Sequence, residues 1–561
     1  MNDSSTKLNA LKQKSVDLVS PTKLFILIFF IRLINAFTLQ TYFQADEFYQ
    51  CLEPAHNFVY GYGYITWEWK ERLRSSIHPW LYALGYSFVG ENRQLIEYMP
   101  KIIGAVIASI GEFYLYYFVK RYEECNVERR IVLKVEQKEG MPPKESKMTK
   151  KKGSSEPHDL AWVTLWLSLL NPFNWYVSTR SFSNNLETTL TIVALYYWPW
   201  NQVDGKIHNR NWYTSLACGI VSCIIRPTNA LIWLPLGIWL LVNMHKQISY
   251  KWIAFSLLEI VLLFAANTYL DYIFYGELTF PIYNFLNFNV IRNLSIFYGV
   301  APWHFYIFQA VPLMMMLYLP LLVLGIYKSI KLNILLITSL IYLIGFSTIQ
   351  HKEFRFIMPL QPLMMYYASK GYHSLQIKYL IIPGIFLNMA IAIFFSNINE
   401  RGVIDLTNYI AQNLLPSGNY INNNINNDAA YPQFGLIMPC HSTPWQSKMH
   451  NPDLNAWFLT CEPPLHLERP SLEEVKMYRD ESDQFYDDPA KFLRQHILVE
   501  NGKVDRALGL PEYIAIFEPL QEVIEKEMGH KYVEIHRFFN SLFHWDERRR
   551  GDIILYKRIQ T

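Results

Sequence analysis

Apolar runs separated by short polar loops fill the chain from about residue 23 to residue 396, and the pattern then changes. Many of these runs are close to the roughly 20 residues that an α-helix needs to cross a bilayer. They predict about eleven transmembrane helices, near residues 23–39, 100–119, 159–177, 185–200, 212–226, 228–244, 252–270, 306–327, 332–350, 356–371 and 378–396. The expected fold class is therefore a polytopic α-helical membrane protein, with a polar tail at 1–22 and a membrane domain at 23–399.

Residues 400–561 form a second region with a different pattern. Short apolar runs alternate there with Pro, Asn, Asp and Glu, which is typical of a small soluble domain of mixed helix and strand. We predict strands near 433–438 and 513–517. The chain is thus expected to combine a membrane domain with a C-terminal α/β domain.

The positive charges of the short loops predict the orientation of the chain. With eleven spans they all fall on one side: Lys7, Lys12, Lys14, Lys23, Lys206, Arg210, Lys246, Lys251, Lys328, Lys331, Lys370 and Lys378. Cytosolic loops carry the excess of Lys and Arg, so this side and the N-terminus are expected in the cytosol. The opposite, lumenal side then receives the loops 40–99 and 271–305, the junction at His351, and residues 400–561.

The longest loop on the cytosolic side spans residues 120–158. It mixes Lys, Arg and Glu and ends in the run KKKGSS at 150–155. Such a segment has little apolar surface to bury, so we predict a disordered connector without chemistry.

Composition agrees with this division. Of the 561 residues, 51% are hydrophobic and 18% are charged, too apolar for one soluble domain and too polar for a purely embedded one. A formal net charge of +3 gives no indication of nucleic-acid binding. The 6 cysteines show no CxxC pair and no zinc spacing, but Cys440 and Cys461 could form a disulfide in an oxidising lumen. The sequon at Asn293 is a candidate N-glycosylation site on the same side.

The loop after the first predicted span concentrates the candidate chemistry. Residues 42–79 interleave carboxylates, cations and histidines with many aromatic residues, an arrangement that suits a sugar bound beside a lipid. The candidate contacts to a sugar or an acceptor are Trp67, Glu68, Trp69, Arg74 and His78. The alternative is an interfacial aromatic belt with solvated charges, in which Trp67 and Trp69 only anchor the loop.

A second candidate lies at the mouth between two late spans, in the sequence His351-Lys352-Glu353-Phe354-Arg355-Phe356. His351, Lys352 and Arg355 could hold a phosphate that carries a lipid tail, or they could form a snorkelling cluster that only sets helix depth. Charges inside spans usually face a cavity or a partner. We therefore expect Arg180, Glu187 and Arg226 to support the site, although Arg180 and Glu187 could equally be a structural pair.

Sugar transfer from a lipid phosphate to a hydroxyl would use these residue types. One carboxylate must accept the hydroxyl proton, and Asp46 fits that role. A single base opposite the leaving group would invert the anomeric centre, and a departing phosphate needs no general acid. Glu47 is the second catalytic candidate. It could bind an acceptor hydroxyl or orient Asp46, and the sequence leaves open which of the two is the base.

Four separated motifs, in order, resemble one enzyme family. They are Asp46-Glu47-Phe48-Tyr49-Gln50 with Glu53 and His56, Tyr62 to Trp69 with Arg74, Arg180 to Glu187, and His351 to Phe356. The chain resembles the dolichyl-phosphate-mannose-dependent mannosyltransferases of the endoplasmic reticulum, glycosyltransferase family 22, over most of its length. This resemblance implies a GT-C type fold. Within the family, Thr66 to Lys70, Ile225 to Asn229 and Met438 to Pro444 are similar to the branch that acts in GPI-anchor assembly.

The resemblance implies a reaction and its partners. A mannose, the third of the GPI core, would pass in α-1,2 linkage from dolichyl phosphate mannose to a two-mannose glucosaminyl-phosphatidylinositol intermediate in the endoplasmic reticulum membrane. Asp46 would be the base, and the donor phosphate would lie near His351, Lys352 and Arg355. Members that use this donor generally need no metal, and we expect no cofactor. One departure from the family pattern is Ala45, where a Pro often stands.

Two alternatives stay open. A sister enzyme would add an α-1,2 mannose to the dolichol-linked N-glycan precursor, although the late Cys440-His441 motif argues against it. A lipid or solute transporter would also show many spans and buried charges, but it would not need a large loop rich in carboxylates. The sequence does not reveal whether an accessory protein subunit is required.

Overall fold

The computed structural model describes residues 19–139, 157–200, 210–329, 333–415, 432–498 and 510–559. Its first part is a bundle of helices that begin at capping residues. The side chains of Ser20, Asn171, Ser249 and Asn333 each accept a hydrogen bond from a backbone N–H in the first turn of the helix that follows. Proline at the first position of a helix needs no hydrogen-bond partner, and Pro21 and Pro172 stand there.

The helices of the membrane domain are α1 Pro21–Thr38, α2 Glu53–Tyr60, α3 Trp67–Lys70, α4 Ile77–Val89, α5 Arg93–Glu139, α6 Pro157–Leu169, α7 Pro172–Val177, α8 Ser183–Tyr197, α9 Arg210–Ile225, α10 Ala230–Met244, α11 Tyr250–Tyr275, α12 Pro281–Leu286, α13 Val311–Met315, α14 Leu319–Lys328, α15 Ile334–Thr348, α16 Gln361–Ser374 and α17 Ile381–Asn397. Each of the eleven predicted spans coincides with one or more of these helices. Among the described residues, six helical segments are long and apolar enough to cross a membrane.

Local features of the sequence explain why some predicted spans are not among those six long apolar helices. The span at 159–177 is divided into α6 and α7 at Asn171-Pro172, and the span at 332–350 is the shorter helix α15. The helix α8 starts with the polar residues Asn184, Asn185 and Glu187, all of them buried. Helix α8 lies inside the bundle, where neighbouring helices satisfy its polar groups, whereas α15 keeps Leu340, Ile341 and Ile344 exposed at the bundle surface.

The predicted connector at 120–158 differs from the structure in its first half. Helix α5 does not end at the membrane boundary but continues through residues 120–139. Lys, Arg and Glu are good helix formers, so a helix that is already nucleated in the bundle can extend through such a sequence. Residues 140–156, including the run at 150–155, lie outside the described part of the chain.

The C-terminal domain contains a five-stranded sheet with the order β2-β1-β3-β5-β4. The strands are β1 Gln433–Leu436, β2 Asn455–Phe458, β3 Tyr513–Phe517, β4 Tyr532–Ser541 and β5 Gly551–Arg558. β1 runs parallel to β2 and β3, whereas β5 runs antiparallel to β3 and β4. β1 and β3 confirm the two predicted strands. The helices of this domain are α18 Gly402–Tyr409, α19 Gln446–Met449, α20 Leu472–Met477, α21 Glu481–Asp487, α22 Pro489–Phe492 and α23 Gln521–Met528.

The central strand β3 is buried on both faces, and each face belongs to a different core. Ile514 and Ile516 pack with α21, α22 and α23. Ala515 and Phe517 pack instead with Tyr49 and other residues of the loop 40–99. Successive strand residues point to opposite faces, so the sheet lies between its own helices and the loop. The loop 40–99 is therefore shared by the two predicted domains.

A buried ion pair and its hydrogen-bond partners connect four helices of the membrane domain. Arg32 on α1 contacts Glu112 on α5, and neither is exposed to more than 6%. Glu112 also accepts hydrogen bonds from Ser168 Oγ at 2.9 Å and Asn174 Nδ2 at 2.8 Å. These partners explain how a charge can be accommodated at this depth. The motifs of the sequence did not single out either residue.

Candidate active site

Asp46 and Glu47 lie in a helical turn immediately before the π-helical turn Phe48–Leu52. Neighbouring residues of a helix point about 100° apart, so the two carboxylates have different partners. Asp46 contacts the guanidinium of Arg355, and Glu47 Oε2 accepts from Arg180 Nη1 at 2.9 Å. The Asp46 side chain is 23% exposed and that of Glu47 only 11%. Asp46 is therefore the more accessible of the two.

Arg355 joins the first loop to the late motif. Its Nε and Nη2 donate to the two carboxylate oxygens of Glu353 at 2.7 and 2.9 Å, while Nη2 also contacts Asp46. Burial by itself would raise the pKa of Glu353, but Arg355 and the hydrogen bond from His351 outweigh it and hold that pKa below its usual range. Glu353, which the sequence did not single out, thus remains an anion that orients Arg355 toward Asp46.

The other two cationic candidates of this motif, Lys352 and His351, contact groups of the protein. Lys352 Nζ donates to the backbone carbonyls of Ala301, at 2.9 Å, and Ile349. The two ring nitrogens of His351 face the carbonyl of Gly299 at 3.0 Å and Glu353 at 3.2 Å. Lys352 thus points at backbone and His351 acts mainly on Glu353, and the expectation that the three side chains share one phosphate stays a prediction. Arg355 is the cation left at the site.

Glu68 and Arg74 form a second ion pair next to Asp46. Arg74 Nε donates to Glu68 Oε2 at 2.6 Å, and the Glu68 side chain is 13% exposed. Burial raises the pKa of Glu68 despite Arg74, and the charge of Asp46 acts in the same direction. The structure thus brings these two sequence candidates to the carboxylate cluster.

Trp69 and His78 do not reach this cluster. Trp69 is 3% exposed and donates its indole N–H to the carbonyl of Tyr49 at 3.0 Å. His78 is also 3% exposed, and burial lowers its pKa to about 3, aided by Arg74. Both rings are used in packing the loop, and their contact with an acceptor stays a prediction. The Trp67 ring packs against the rings of Phe288 and Tyr298. Tyr298 in turn contacts the ring of His351.

Arg180 and Glu187, the pair suggested by the sequence, do not contact each other but bind other partners. Arg180 turns back to the first loop, where it donates to the carbonyl of Thr41 at 2.8 Å as well as to Glu47. Glu187 instead lies 3.4 Å from Arg226 Nε and accepts from Asn229 Nδ2 at 2.9 Å. Arg180 precedes α8 and Glu187 is the fifth residue of that helix, and the two side chains face different neighbours.

Arg226 nevertheless belongs to the surroundings of the site. Its guanidinium lies 5.3 Å from the centre of the Phe356 ring, and that of Arg355 lies 5.9 Å from the same centre. Two guanidinium groups thus lie near one aromatic ring, and cation–π contacts of this kind stabilise both cations. The arrangement places a third positive charge near the carboxylate cluster, from a helix far away in sequence.

The C-terminal domain closes over the loop 40–99 through the segment 438–450. Glu53, fully buried, accepts hydrogen bonds at Oε1 from the backbone N–H groups of Trp445 and Ser447 at 2.9 and 3.1 Å and from the Ser447 hydroxyl at 2.6 Å. Tyr49 donates its hydroxyl to the carbonyl of Thr443 at 2.9 Å. These contacts fix the far side of the loop that carries Asp46.

Cys440 and Cys461 form a disulfide in the structure, with their Cα atoms 5.8 Å apart. His441 Nδ1 lies 3.5 Å from Cys461 Sγ, but the disulfide engages both sulfur atoms, so this cluster offers no thiolate ligands. Burial lowers the pKa of His441 to about 4, and its ring packs on Tyr49 with centroids 4.5 Å apart. His441 is thus a packing residue. Asn293 is half-buried and donates to Gln350 Oε1 at 3.3 Å.

Comparisons with known proteins agree with this architecture. A sequence profile of the Alg9-like mannosyltransferase family matches residues 23–450. A relative from Candida albicans called GPI mannosyltransferase 3 is 54% identical over 96% of this chain and 98% of its own length. A relative of the same name from Saccharomyces cerevisiae is 33% identical over 96% of each chain.

A solved structure shares the fold. ArnT from Cupriavidus metallidurans bound to undecaprenyl phosphate superposes with a TM-score of 0.51 over 95% of this chain and 97% of its own, at 12% identity. This likeness places the helical bundle and the C-terminal domain in the GT-C fold class. The chain therefore belongs to the Alg9-like mannosyltransferase family and is a membrane-embedded mannosyltransferase of GPI-anchor biosynthesis.

Proposed function

We propose that this chain adds the third mannose of the GPI core in α-1,2 linkage, from dolichyl phosphate mannose to a two-mannose glucosaminyl-phosphatidylinositol intermediate. The observation that carries the proposal is the direct contact between Asp46 and Arg355 at a carboxylate cluster of the loop 40–99. A base and a cation that meet at one point suit a transfer in which a proton is removed on one side and a phosphate departs on the other.

Asp46 is the base in this proposal, and Glu47 is not. Glu47 is largely buried and engaged by Arg180, whereas Asp46 remains partly exposed. Asp46 accepts the proton of the acceptor hydroxyl as its oxygen bonds to the anomeric carbon of the donor mannose. The bond from that carbon to the phosphate oxygen breaks at the same time, and the electron pair leaves with dolichyl phosphate. Attack opposite the leaving group inverts the anomeric centre.

Arg355 receives the departing phosphate in this scheme. It already contacts Asp46, and Glu353 fixes its guanidinium with two hydrogen bonds, so little reorganisation is needed when the charge develops. Arg226 lies 5.3 Å from the centre of the Phe356 ring and adds to the positive potential there. Glu68, next to Asp46, is available to bind an acceptor hydroxyl.

The proposed location is the endoplasmic reticulum membrane, with the site and the C-terminal domain in the lumen. The disulfide between Cys440 and Cys461 favours an oxidising compartment for that domain. The cations of the short loops favour the cytosol for the other side of the bundle.

The test is mannose transfer by the purified chain from dolichyl phosphate mannose, with two acceptors in competition. One is the synthetic two-mannose GPI intermediate and the other is a dolichol-linked oligosaccharide of the N-glycan precursor. We expect transfer to the GPI acceptor, and release of the new mannose by an α-1,2-specific mannosidase. Transfer only to the oligosaccharide would show that the chain acts in N-glycan assembly instead. Transfer to neither would overturn the proposed reaction for the isolated chain.

A further inference from the structure

A cavity of about 270 Å³ borders the first loop at Glu47, Phe48 and Leu52, and neither Asp46 nor Arg355 lines it. We call it the Glu47 pocket. Its walls come from the end of α1, the start of α5, the turn 179–181, the helix α18 and the segment Ser447-Lys448. The size is at the lower end of ligand sites, which begin at about 300 Å³. Glu47 lines the pocket, and the residue before it, Asp46, contacts Arg355. The pocket and the Asp46–Arg355 contact are therefore close together in the chain.

The charges that line the Glu47 pocket do not cancel. Each of its three carboxylates contacts one cation: Glu47 with Arg180 at 2.9 Å, Asp405 with Arg401 at 2.9 Å, and Glu97 with Lys448. A fourth cation, Lys101, also lines the pocket. In the described part of the chain no carboxylate lies within ion-pair distance of its ammonium group. The pocket therefore carries one surplus positive charge, which favours an anionic ligand.

Two polar groups of the pocket lack a hydrogen-bond partner among the described residues. The Thr179 hydroxyl is almost completely buried, at 4% exposure of the residue, and Asn408 Oδ1 is likewise unpaired. A buried polar group without a partner is costly. A ligand that offers both an anionic oxygen and hydroxyl groups would satisfy both of them.

The pocket borders the surface of the bundle that faces lipid. Phe37 lines it and is 38% exposed, and Ile34, one turn earlier on α1, is 59% exposed. The Lys101 ammonium stands 5.7 Å from the centre of the Phe37 ring. A cation beside exposed apolar side chains at a helix end suits the phosphate of a lipid whose chains remain in the bilayer.

We propose that the Glu47 pocket binds the phosphate ester of the acceptor glycolipid, with Lys101 as its principal cation. This inference rests on the proposed function, in which both substrates are lipid-linked and carry a phosphate. Arg355 receives the donor phosphate on one side of Asp46, so the acceptor phosphate needs a separate cation. The surplus charge of Lys101 lies in the Glu47 pocket, which neither Asp46 nor Arg355 lines.

The test is to replace Lys101 by Gln, which keeps a polar side chain of similar length and removes its charge. The KM for the two-mannose GPI acceptor should rise about tenfold, as expected for the loss of one charge-assisted contact. The KM for dolichyl phosphate mannose should not change. Lys101→Arg should restore most of the acceptor affinity. Lys526→Gln, an exposed lysine on α23, is the matched control and should leave both KM values unchanged.

Two results would overturn the inference. A rise in the donor KM instead of the acceptor KM would assign the pocket to dolichyl phosphate mannose. Unchanged values for both substrates would show that Lys101 contacts neither phosphate.

A binding measurement separates this inference from the proposed function. If the wild-type chain transferred no mannose, the proposed reaction would fail, but the pocket could still be tested with short-chain phosphatidylinositol and the full-length protein. Binding should be about tenfold weaker in Lys101→Gln than in the wild type or in Lys526→Gln. Equal binding in all three proteins would refute the phosphate site.

Discussion

The loop 40–99 presents carboxylates on two sides, and their surroundings differ. On the side of the C-terminal sheet, Glu53 is fully buried and its carboxylate accepts two backbone N–H groups and a hydroxyl. On the side of the membrane helices, Asp46 is partly exposed and contacts a side-chain cation, Arg355. We refer to these as the sheet side and the helix side of the loop.

The difference separates a structural carboxylate from a reactive one. Backbone donors cannot move away, so Glu53 ties two distant segments of the chain together. A guanidinium on a flexible side chain can exchange one anion for another, and a partly exposed carboxylate can reach a substrate. Residue type alone does not distinguish Glu53 from Asp46, since both lie in one short acidic and aromatic stretch.

The largest effect is expected on the helix side, from Asp46→Asn. The amide cannot accept a proton, so turnover should fall by about 10³-fold, within the range for a general base. The melting temperature should stay within a few degrees of the wild type, because the side chain keeps its size. Mannose transfer and thermal unfolding of the purified protein measure the two quantities.

The control for this substitution is Asp487→Asn, at an exposed carboxylate that pairs with Arg479 in the C-terminal domain. It should change neither turnover nor melting temperature. Turnover near the wild-type level in Asp46→Asn would remove Asp46 from the mechanism and make Glu68 the next candidate base.

On the sheet side, Glu53→Ala should act on stability first. It leaves two backbone N–H groups and a hydroxyl buried without a partner, which should lower the free energy of unfolding by about 3 kcal/mol. The protein should melt earlier, and the activity that remains should show an unchanged donor KM. A variant as stable as the wild type would show that the segment 438–450 docks without this contact.

Glu53 should also give the fold a pH dependence. Burial raises its pKa from 4.5 to about 7. The unfolded chain therefore loses this proton first as the pH rises, and stability should fall between about pH 4.5 and 7, by about 3 kcal/mol, and not change further above that window. Glu53→Gln should remove this part of the dependence. Melting curves of the wild type and Glu53→Gln at pH 5 and 7.5 would measure this difference. If the melting temperatures of both proteins changed equally between the two pH values, Glu53 would not be the titrating group.

A smaller effect is expected from Trp69→Phe, which tests whether the ring binds sugar or anchors the loop. The change removes the hydrogen bond to the carbonyl of Tyr49 but keeps an aromatic ring. We expect a loss of stability of about 1 kcal/mol and an unchanged KM for the acceptor. A higher acceptor KM with unchanged stability would return Trp69 to the sugar site.

The smallest effect is expected from Lys70→Gln. Lys70 links the loop to the C-terminal domain as Glu53 does, but its ion pair with Glu462 is 3.7 Å long and both side chains are about half exposed. Solvent screens such a pair, so neither the melting temperature nor turnover should change measurably. A clear drop in melting temperature would mean that exposed contacts also hold the loop on the sheet.

The sequence by itself determined the helical class of the membrane domain, strands β1 and β3, and the regions that carry the chemistry. Apolar length and alternation are local properties, and burial of apolar surface dominates folding in both domains. The motifs around Asp46 and Arg355 were also visible, because carboxylates and cations in apolar surroundings are unusual wherever they occur.

Only the tertiary structure decided which charge pairs with which. Glu187 pairs with Arg226, Arg180 pairs with Glu47, and Lys352 binds backbone carbonyls, although composition offered several other partners. Trp69 and His78 are buried in packing, Trp69 against Phe274 and Tyr275 of α11 and His78 against Tyr82 of α4. Partner choice depends on contacts between segments that are distant in the sequence, and a distance of a few ångströms decides between an ion pair and no interaction. No local pattern in the chain encodes that distance.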